Sequence, residues 1–284
     1  MTTPATLTLR GLGARLRPGA GGGPVLSGRR LVGAGLLALL AVFAWGAPLI
    51  SDADPARQDL LRTLVPPSLE APLGTDHLGR SLLARLAAAV RLSLGLALMG
   101  VLTAAVPGVL LGILAGWRGG WVDRLLVVLS DAFLALPGLL LVLLMVAIAP
   151  GSFWALYVGI ALVLWIEYFR LVRATTRTLV TSPQIEASRL LGFGPLYIVR
   201  RHLWPELAPM VLTLGAFGGA TAIMAIAALG FVSVGLRPPT AELGLMMTEL
   251  LPYHYEAPWA LLQPIAVVFL LVLGLILLAG KDPR

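Results

Sequence analysis

Residues 184–209 read QIEASRLLGFGPLYIVRRHLWPELAP, a stretch that carries Glu186, Arg189, Arg200, Arg201, His202 and Glu206 around a Gly194-Pro195 break. Its flanks have the opposite character: Phe153–Ile166 before it and Leu207–Leu236 after it contain no charged residue. A bilayer core of about 30 Å takes roughly 20 apolar residues per helix. A charged, broken segment therefore joins two membrane spans, and the fold is expected to be an all-α integral membrane bundle.

Working outward, four more apolar runs complete the set. They are Leu31–Ile50, Leu92–Trp117, Leu125–Ala149 (interrupted by one acid, Asp131) and Ala257–Gly280. Six transmembrane helices are expected, with Ala149–Ser152 as a tight turn between the third and fourth. The fifth run is long enough to end in a kink or a re-entrant piece. Composition agrees: 58% of the 284 residues are hydrophobic and 12% are charged, about half the charge of a soluble domain. Mean hydropathy is +0.91. With no cysteine, disulfides and thiolate chemistry are excluded. The first run is read as a retained anchor, because its leader of about thirty residues with five arginines is unlike the short charged region of a signal peptide.

Cytoplasmic loops collect Lys and Arg. Placing both termini in the cytoplasm puts fifteen of the twenty-one basic residues inside, and leaves Arg57, Arg62, Arg80, Arg85, Arg91 and Arg237 outside. The acids Asp52, Asp54, Asp59, Glu70, Asp76, Glu242, Glu249 and Glu256 fall outside. The net charge of +7 is thus a topological bias across a cell membrane, with lipid as the partner and no nucleic acid. The expected division is a cytoplasmic segment 1–30, a first span 31–50, an extracytoplasmic loop 51–88, a five-helix core 89–280 with an inner loop 170–206, and a tail 281–284.

The inner loop is too long for a simple helix connection of 2–8 residues. Gln184–Leu191 reads as a short helix with Ala187, Leu190 and Leu191 on one face, ended by Gly192 and Gly194-Pro195. A second helix, from about Leu196 to Trp204, returns to the membrane. Such a tilted helix suits a groove on a cytosolic partner, and equally a lipid-surface connector.

Glu186-Ala187-Ser188, then Gly192, then His202-Leu203 and Pro205 resemble the EAA loop of ABC-importer permeases, with Ser188 for the second alanine and Glu206 where asparagine is common. Further segments resemble the dipeptide, oligopeptide and nickel group of that family. Ala71–Leu96, APLGTDHLGRSLLARLAAAVRLSLGL, is similar to its H-P-L-G-T-D-x-x-G-R signature, departing at Ser81 and Ala84. Trp121–Leu141 resembles its third span, including Asp131 and Pro137. Trp165–Arg173 resembles its G-W-x-x-Y-A-R-x-V-R entry to the loop, and LGFVSVGLRPPTAELGLMM and APWALLQPI resemble later segments. The usual long C-terminal ending is reduced to AGKDPR.

The resemblance implies a permease subunit that forms half of a translocation pathway and couples to ATPases through Glu186, Ala187, Ser188, Leu191, Gly192, His202 and Pro205. Within that set Gly192 provides the break and Ala187 the close approach, while Glu186 caps the helix or pairs with Arg189 or an ATPase residue. The implied partners are a second, similar permease, two cytosolic ABC ATPases that bind ATP and magnesium, and an extracytoplasmic binding protein. The implied cargo is nickel, a metal chelate, or di- and oligopeptides, with a slight tilt to nickel from GTDHLGR, ASRL and PTAELG. The chain itself needs no cofactor and is not an enzyme: it has no G-x-x-x-x-G-K-[ST] loop, no G-x-S-x-G elbow and no H-E-x-x-H.

Individual residues keep two readings. Asp131, the one acid inside an expected span, is either structural, reaching or pairing with Arg124, or part of the pathway. An ion-coupled secondary transporter using Asp131 is the rival class, although no repeated halves are visible. Arg91 reads as an interfacial anchor. His77, His202 and His254 fall in separate loops and give no metal site. Met224, Met246 and Met247 are packing filler or a soft lining, and Gly215, Gly218 and Gly219 allow close helix approach. Pro238–Pro258 is a docking surface for a binding protein or an interfacial cap, with Tyr253, Tyr255 and Trp259 at headgroup level.

Overall fold

The computed structural model describes residues 28–50 and 53–280. Most of the N-terminal segment and the tail 281–284 lie outside the described residues. Within them the regular structure is helical, apart from an isolated bridge between Thr75 and Ser81. The helices are α1 (Gly28–Ile50), α2 (Leu82–Arg118), α3 (Gly120–Leu134), α4 (Gly138–Ile148), α5 (Phe153–Val180), α6 (Pro183–Leu190), α7 (Pro195–Ile198), α8 (Trp204–Phe231), α9 (Leu243–Leu250) and α10 (Pro258–Ala279). Five helical stretches are long and apolar enough to cross a membrane: α1, α2, α5, the run Pro195–Phe231 and α10.

The third apolar run does not form one straight span. It folds as α3 and α4, bent by 78°, and counts as a sixth crossing only if the pair is taken together. The interruption is at Pro137, not at Asp131. Proline has no N–H to continue α3; instead its carbonyl accepts from the Leu140 and Leu141 amides at 2.8 and 3.2 Å and starts α4.

Two other helices outrun their apolar windows. Helix α2 begins at Leu82, so residues 82–88, expected in a loop, are helical. Helix α5 runs unbroken to Val180 and takes in Glu167, which the apolar window had left out. Asp131 is therefore not the only acid within a membrane helix.

The tightest seam joins α2 to α5. Gly100, Ala104, Gly108, Gly112 and Gly116 recur every four residues on one face of α2. A Cβ at Gly108 would stand 2.8 Å from the Trp165 carbonyl oxygen, one at Gly112 2.9 Å from that of Phe169, and one at Gly116 2.8 Å from that of Arg173. In lipid, where apolar burial gives helices little reason to associate, close backbone contact supplies the attraction. The stripe is visible as G-x-x-x-G spacing, but the reading of the sequence passed over it. Gly215 and Gly218 of α8 face Tyr168 and Leu164 of α5, as close approach requires, while Gly219 faces Leu275 of α10.

Helix α1 is fastened by a backbone repair. Pro48 lies inside α1 and cannot donate to the Ala44 carbonyl. The Arg91 guanidinium of α2 donates to that oxygen instead. Arg91 is thus an internal clamp between two helices rather than a headgroup anchor.

Candidate functional site

At the basic end of the bundle, α5 leads through Ser182 into α6. Pro183 occupies the first turn, where a missing N–H is harmless, and Glu186 sits beside the positive end of the helix dipole. One face of α6 is held from behind. Ile185 is buried, and the Ser188 hydroxyl donates to the Gln184 carbonyl at 3.0 Å while lying 2.9 Å from His202 Nε2. With its single proton given to Gln184, the hydroxyl accepts from the imidazole N–H. The Arg189 guanidinium lies 5.0 Å over the Trp117 ring at the end of α2.

The opposite face is free. Ala187 is exposed, and Leu190 and Leu191 are 84% and 76% exposed. Helix α6 closes with a left-handed cap at Gly192, whose φ is +82°. The Gly192 amide donates to Arg189 and the Phe193 amide to Ser188, at 3.0 and 3.1 Å, the paired bonds that satisfy the last carbonyls. No neighbour crowds a Cβ at Gly192, so the backbone angle alone calls for glycine.

Beyond the cap, Phe193 stacks on Tyr197 at 4.3 Å, and Leu196 is 80% exposed beside them. The chain then enters the membrane as one helical run from Pro195 to Phe231. Val199–Leu203 is a π-helical turn within it. Pro205 follows directly; its ring cannot donate to the Arg201 carbonyl and crowds it, which the wider turn relieves. Ser188 and His202, fourteen residues apart, are thus brought together. Glu186 is exposed and, among the described residues, forms no ion pair with Arg189.

The acidic end holds a site that sequence reasoning missed. The GTDHLGR stretch is an anchor. Gly74 and Gly79 have φ of +80° and +71°, and a Cβ at Gly79 would stand 1.8 Å from the Asp59 carbonyl oxygen. The Thr75 hydroxyl donates to the Arg62 carbonyl and accepts from the Val65 amide. Asp76 accepts from the Leu78 and Arg80 amides, both at 2.9 Å, and from Arg80 Nε at 2.6 Å.

Glu249 of α9 then accepts from both Arg80 and Arg85, at 2.8 and 2.6 Å. The two arginines are fully buried. The reading that placed them in an open loop is corrected: their charges are neutralised across 169 and 164 residues of sequence. His77 packs on Tyr253 with ring centres 5.2 Å apart, and burial holds its imidazole below the ordinary value against the opposing pull of Asp76 and Glu249. Glu242 caps α9 by accepting from the Gly244 and Leu245 amides, and burial pushes its carboxyl up while those bonds oppose the shift. A legible signal existed: acid and base at a four-residue interval in Asp76 and Arg80. Nothing local pointed to Glu249.

The remaining expected residues separate. Asp131 is exposed on α3 and forms no ion pair among the described residues; at the opposite end of α3, Asp123 pairs with Arg173 of α5. Met246 is buried packing, whereas Met224 is 57% exposed and lines an open groove beside the α3–α4 bend that follows Pro137. His254 Nδ1 lies 2.9 Å from the Leu251 carbonyl, so the three histidines occupy separate environments.

The described residues thus form a helical bundle with a pinned, outwardly apolar helix on its basic end. Residues 108–280 match the family described as binding-protein-dependent transport system inner membrane component. The chain is 37% identical over 261 residues to the di/tripeptide transport system permease protein DppC of Pseudomonas aeruginosa, covering 88% of this chain and 86% of that protein. It is 32% identical to the dipeptide transport system permease protein DppC of Haemophilus influenzae over 251 residues, covering 86% of this chain and 85% of that protein. It is also 32% identical to the nickel transport system permease protein NikC of Escherichia coli over 239 residues, covering 84% and 86%. The chain belongs to this family: it is a multi-pass inner-membrane permease subunit of an ABC importer. Membership implies ATPase and substrate-binding-protein partners and displaces the ion-coupled alternative built on Asp131.

Proposed function

We propose that this chain forms half of the translocation pathway of an ATP-driven importer for short peptides or chelated nickel, and that α6 couples it to the ATPases. The supporting observation is the two-sided character of α6. Ile185, Ser188 and Arg189 tie one face to the bundle, while Ala187, Leu190 and Leu191 leave an apolar face free at the basic end. That face suits insertion into a groove on a cytosolic partner. Because α6 continues from α5, and α5 is locked to α2, displacement of α6 would move two spans together.

In this reading the α3–α4 pair counts as one span, making six, and both termini lie in the cytoplasm. The segment 1–30, the span 31–50, the loop between α1 and α2, the core to residue 280 with its loop 170–206, and the tail 281–284 are its parts. Two ATPases, each holding ATP and magnesium, engage the coupling helices of this chain and of a second similar permease. A binding protein delivers cargo at the acidic end. Relatives named for peptides and for nickel support both cargo classes.

The test is co-purification from native membranes with and without Leu191→Asp. Wild type should bring down P-loop ATPases and a second permease, and the variant should lose the ATPases while keeping the permease. Retention of the ATPases by the variant would remove α6 from the coupling role.

A further inference from the structure

Glu167 lies within α5, fourteen residues from Phe153 and three before Arg170, where the inner loop is read to begin. It has no hydrogen bond or ion pair among the described residues. Its exposed side chain lines an open groove of about 530 Å³ between α3, α4, α5 and α8, and it is the one titratable group in that lining. The Thr221 hydroxyl beside it already donates to the Phe217 carbonyl. The rest of the wall, including Phe133, Leu136, Val163 and Met224, is apolar.

Two independent features place this groove away from lipid. An unpaired carboxylate on a membrane helix is expensive against hydrocarbon, and such groups face water or a partner charge. The bend at Leu136–Gly138 borders the same groove and is exposed. Interrupted backbone at membrane depth is tolerated only where protein or water covers it. The volume falls within the range of small-ligand sites, and apolar walls strengthen any charge interaction inside by lowering the local dielectric.

We propose that Glu167 is a recognition group for the positive charge of the cargo as it crosses: a peptide ammonium or a nickel cation. This rests on the import reading above. Asp131 does not line the groove and does not share the role.

The test uses the complete complex, with its ATPases and binding protein, in proteoliposomes supplied with ATP. Uptake of dialanine and of Ni2+ without added chelator is compared for wild type, Glu167→Gln and Glu167→Asp. The amide variant keeps the shape and removes the charge, and should lower uptake per ATP hydrolysed about tenfold, the effect of one charge contact in a partly wet site. The aspartate variant should recover most of it. A loss confined to dialanine assigns an ammonium, a loss confined to nickel assigns the metal, and a loss of both assigns positive charge in general. Wild-type uptake of both probes by Glu167→Gln overturns the proposal. So does failure of that variant to co-purify with its partner permease, which would make Glu167 an intersubunit contact. A wild-type complex that moves neither probe would sink the import reading, and this proposal with it.

Discussion

Adding one methyl group to the α2–α5 seam should separate the cost of forced backbone distance from the benefit of helix propensity. In Gly108→Ala the new Cβ would stand 2.5 Å from the Tyr168 Cβ and 2.8 Å from the Trp165 carbonyl oxygen. Neither is the mobile end of a flexible side chain, so α2 and α5 must part. A gap of 0.5–1 Å forfeits a quarter to a half of each dispersion contact along the seam, and overpacking of this kind costs typically about 1–3 kcal/mol. Replacing glycine by alanine in a helix returns about 1 kcal/mol. Gly100→Ala is the matched control: its Cβ would meet only the Ile160 methyl, at 3.2 Å, so it should be neutral or stabilising by up to about 1 kcal/mol. The two variants should therefore differ by about 2 kcal/mol. On the scale of large soluble domains this is roughly 4–8 °C in Tm. Thermal unfolding in detergent, followed by tryptophan fluorescence, reads the difference. Gly108→Ala plus Gly112→Ala should cost less than the sum of the single changes, because one separation accommodates both methyl groups. If Gly108→Ala unfolds at or above the temperature of Gly100→Ala, the seam is not set by backbone contact.

Three shorter predictions concern the two ends of the bundle. At Gly192 the φ of +82° makes Ala cost about 1 kcal/mol, whereas Pro both forbids the angle and removes the amide bond to Arg189. ATPase stimulation should fall in the order wild type, Gly192→Asn, Gly192→Ala, Gly192→Pro, with membrane insertion unchanged; normal stimulation in the proline variant would contradict the cap. Glu249→Gln leaves Arg80 and Arg85 buried with only Asp76 for balance, and should destabilise by about 3–5 kcal/mol. Glu70→Gln removes the solvent-exposed partner of Arg62 and should change stability by less than about 1 kcal/mol; equal effects in a urea or thermal series would argue against the buried network. For His77, burial lowers the imidazole pKa from 6.5, so below that pH the unfolded chain takes up the proton first. The His77 contribution to stability is complete above about pH 6.5 and is lost as pH falls through the folded-state value. His77→Gln should flatten that acid-side slope, and an unchanged slope would assign it to the neighbouring carboxylates.

Much of the basic end was legible locally. The short helix, expected from Gln184 and observed from Pro183, the spacing of Ala187, Leu190 and Leu191, and the stop at Gly192 depend on backbone geometry within a few residues, and sequence carries such information directly. The same reading placed His202 in the loop but not against Ser188, which it meets fourteen residues away. It also offered Asp131 a pairing with Arg124, whereas the acid of α3 that pairs is Asp123, with Arg173, because the helical register decides which acid of α3 faces α5.

The sequence by itself determined a helical membrane protein, its approximate apolar runs and the concentration of basic residues near one end. Those properties follow from each segment's own balance of apolar surface and charge against a solvent of fixed thickness. Tertiary structure decided which charges are interior. Arg80 and Arg85 read as loop residues until α9 brings Glu249 to them, and Glu167 reads as the end of an apolar run until α3, α4 and α8 form a groove beside it. A local pattern can show that a group is polar; whether it is paired, exposed or left alone in a groove depends on which helix face packs opposite, and that is set by contacts far apart in the chain.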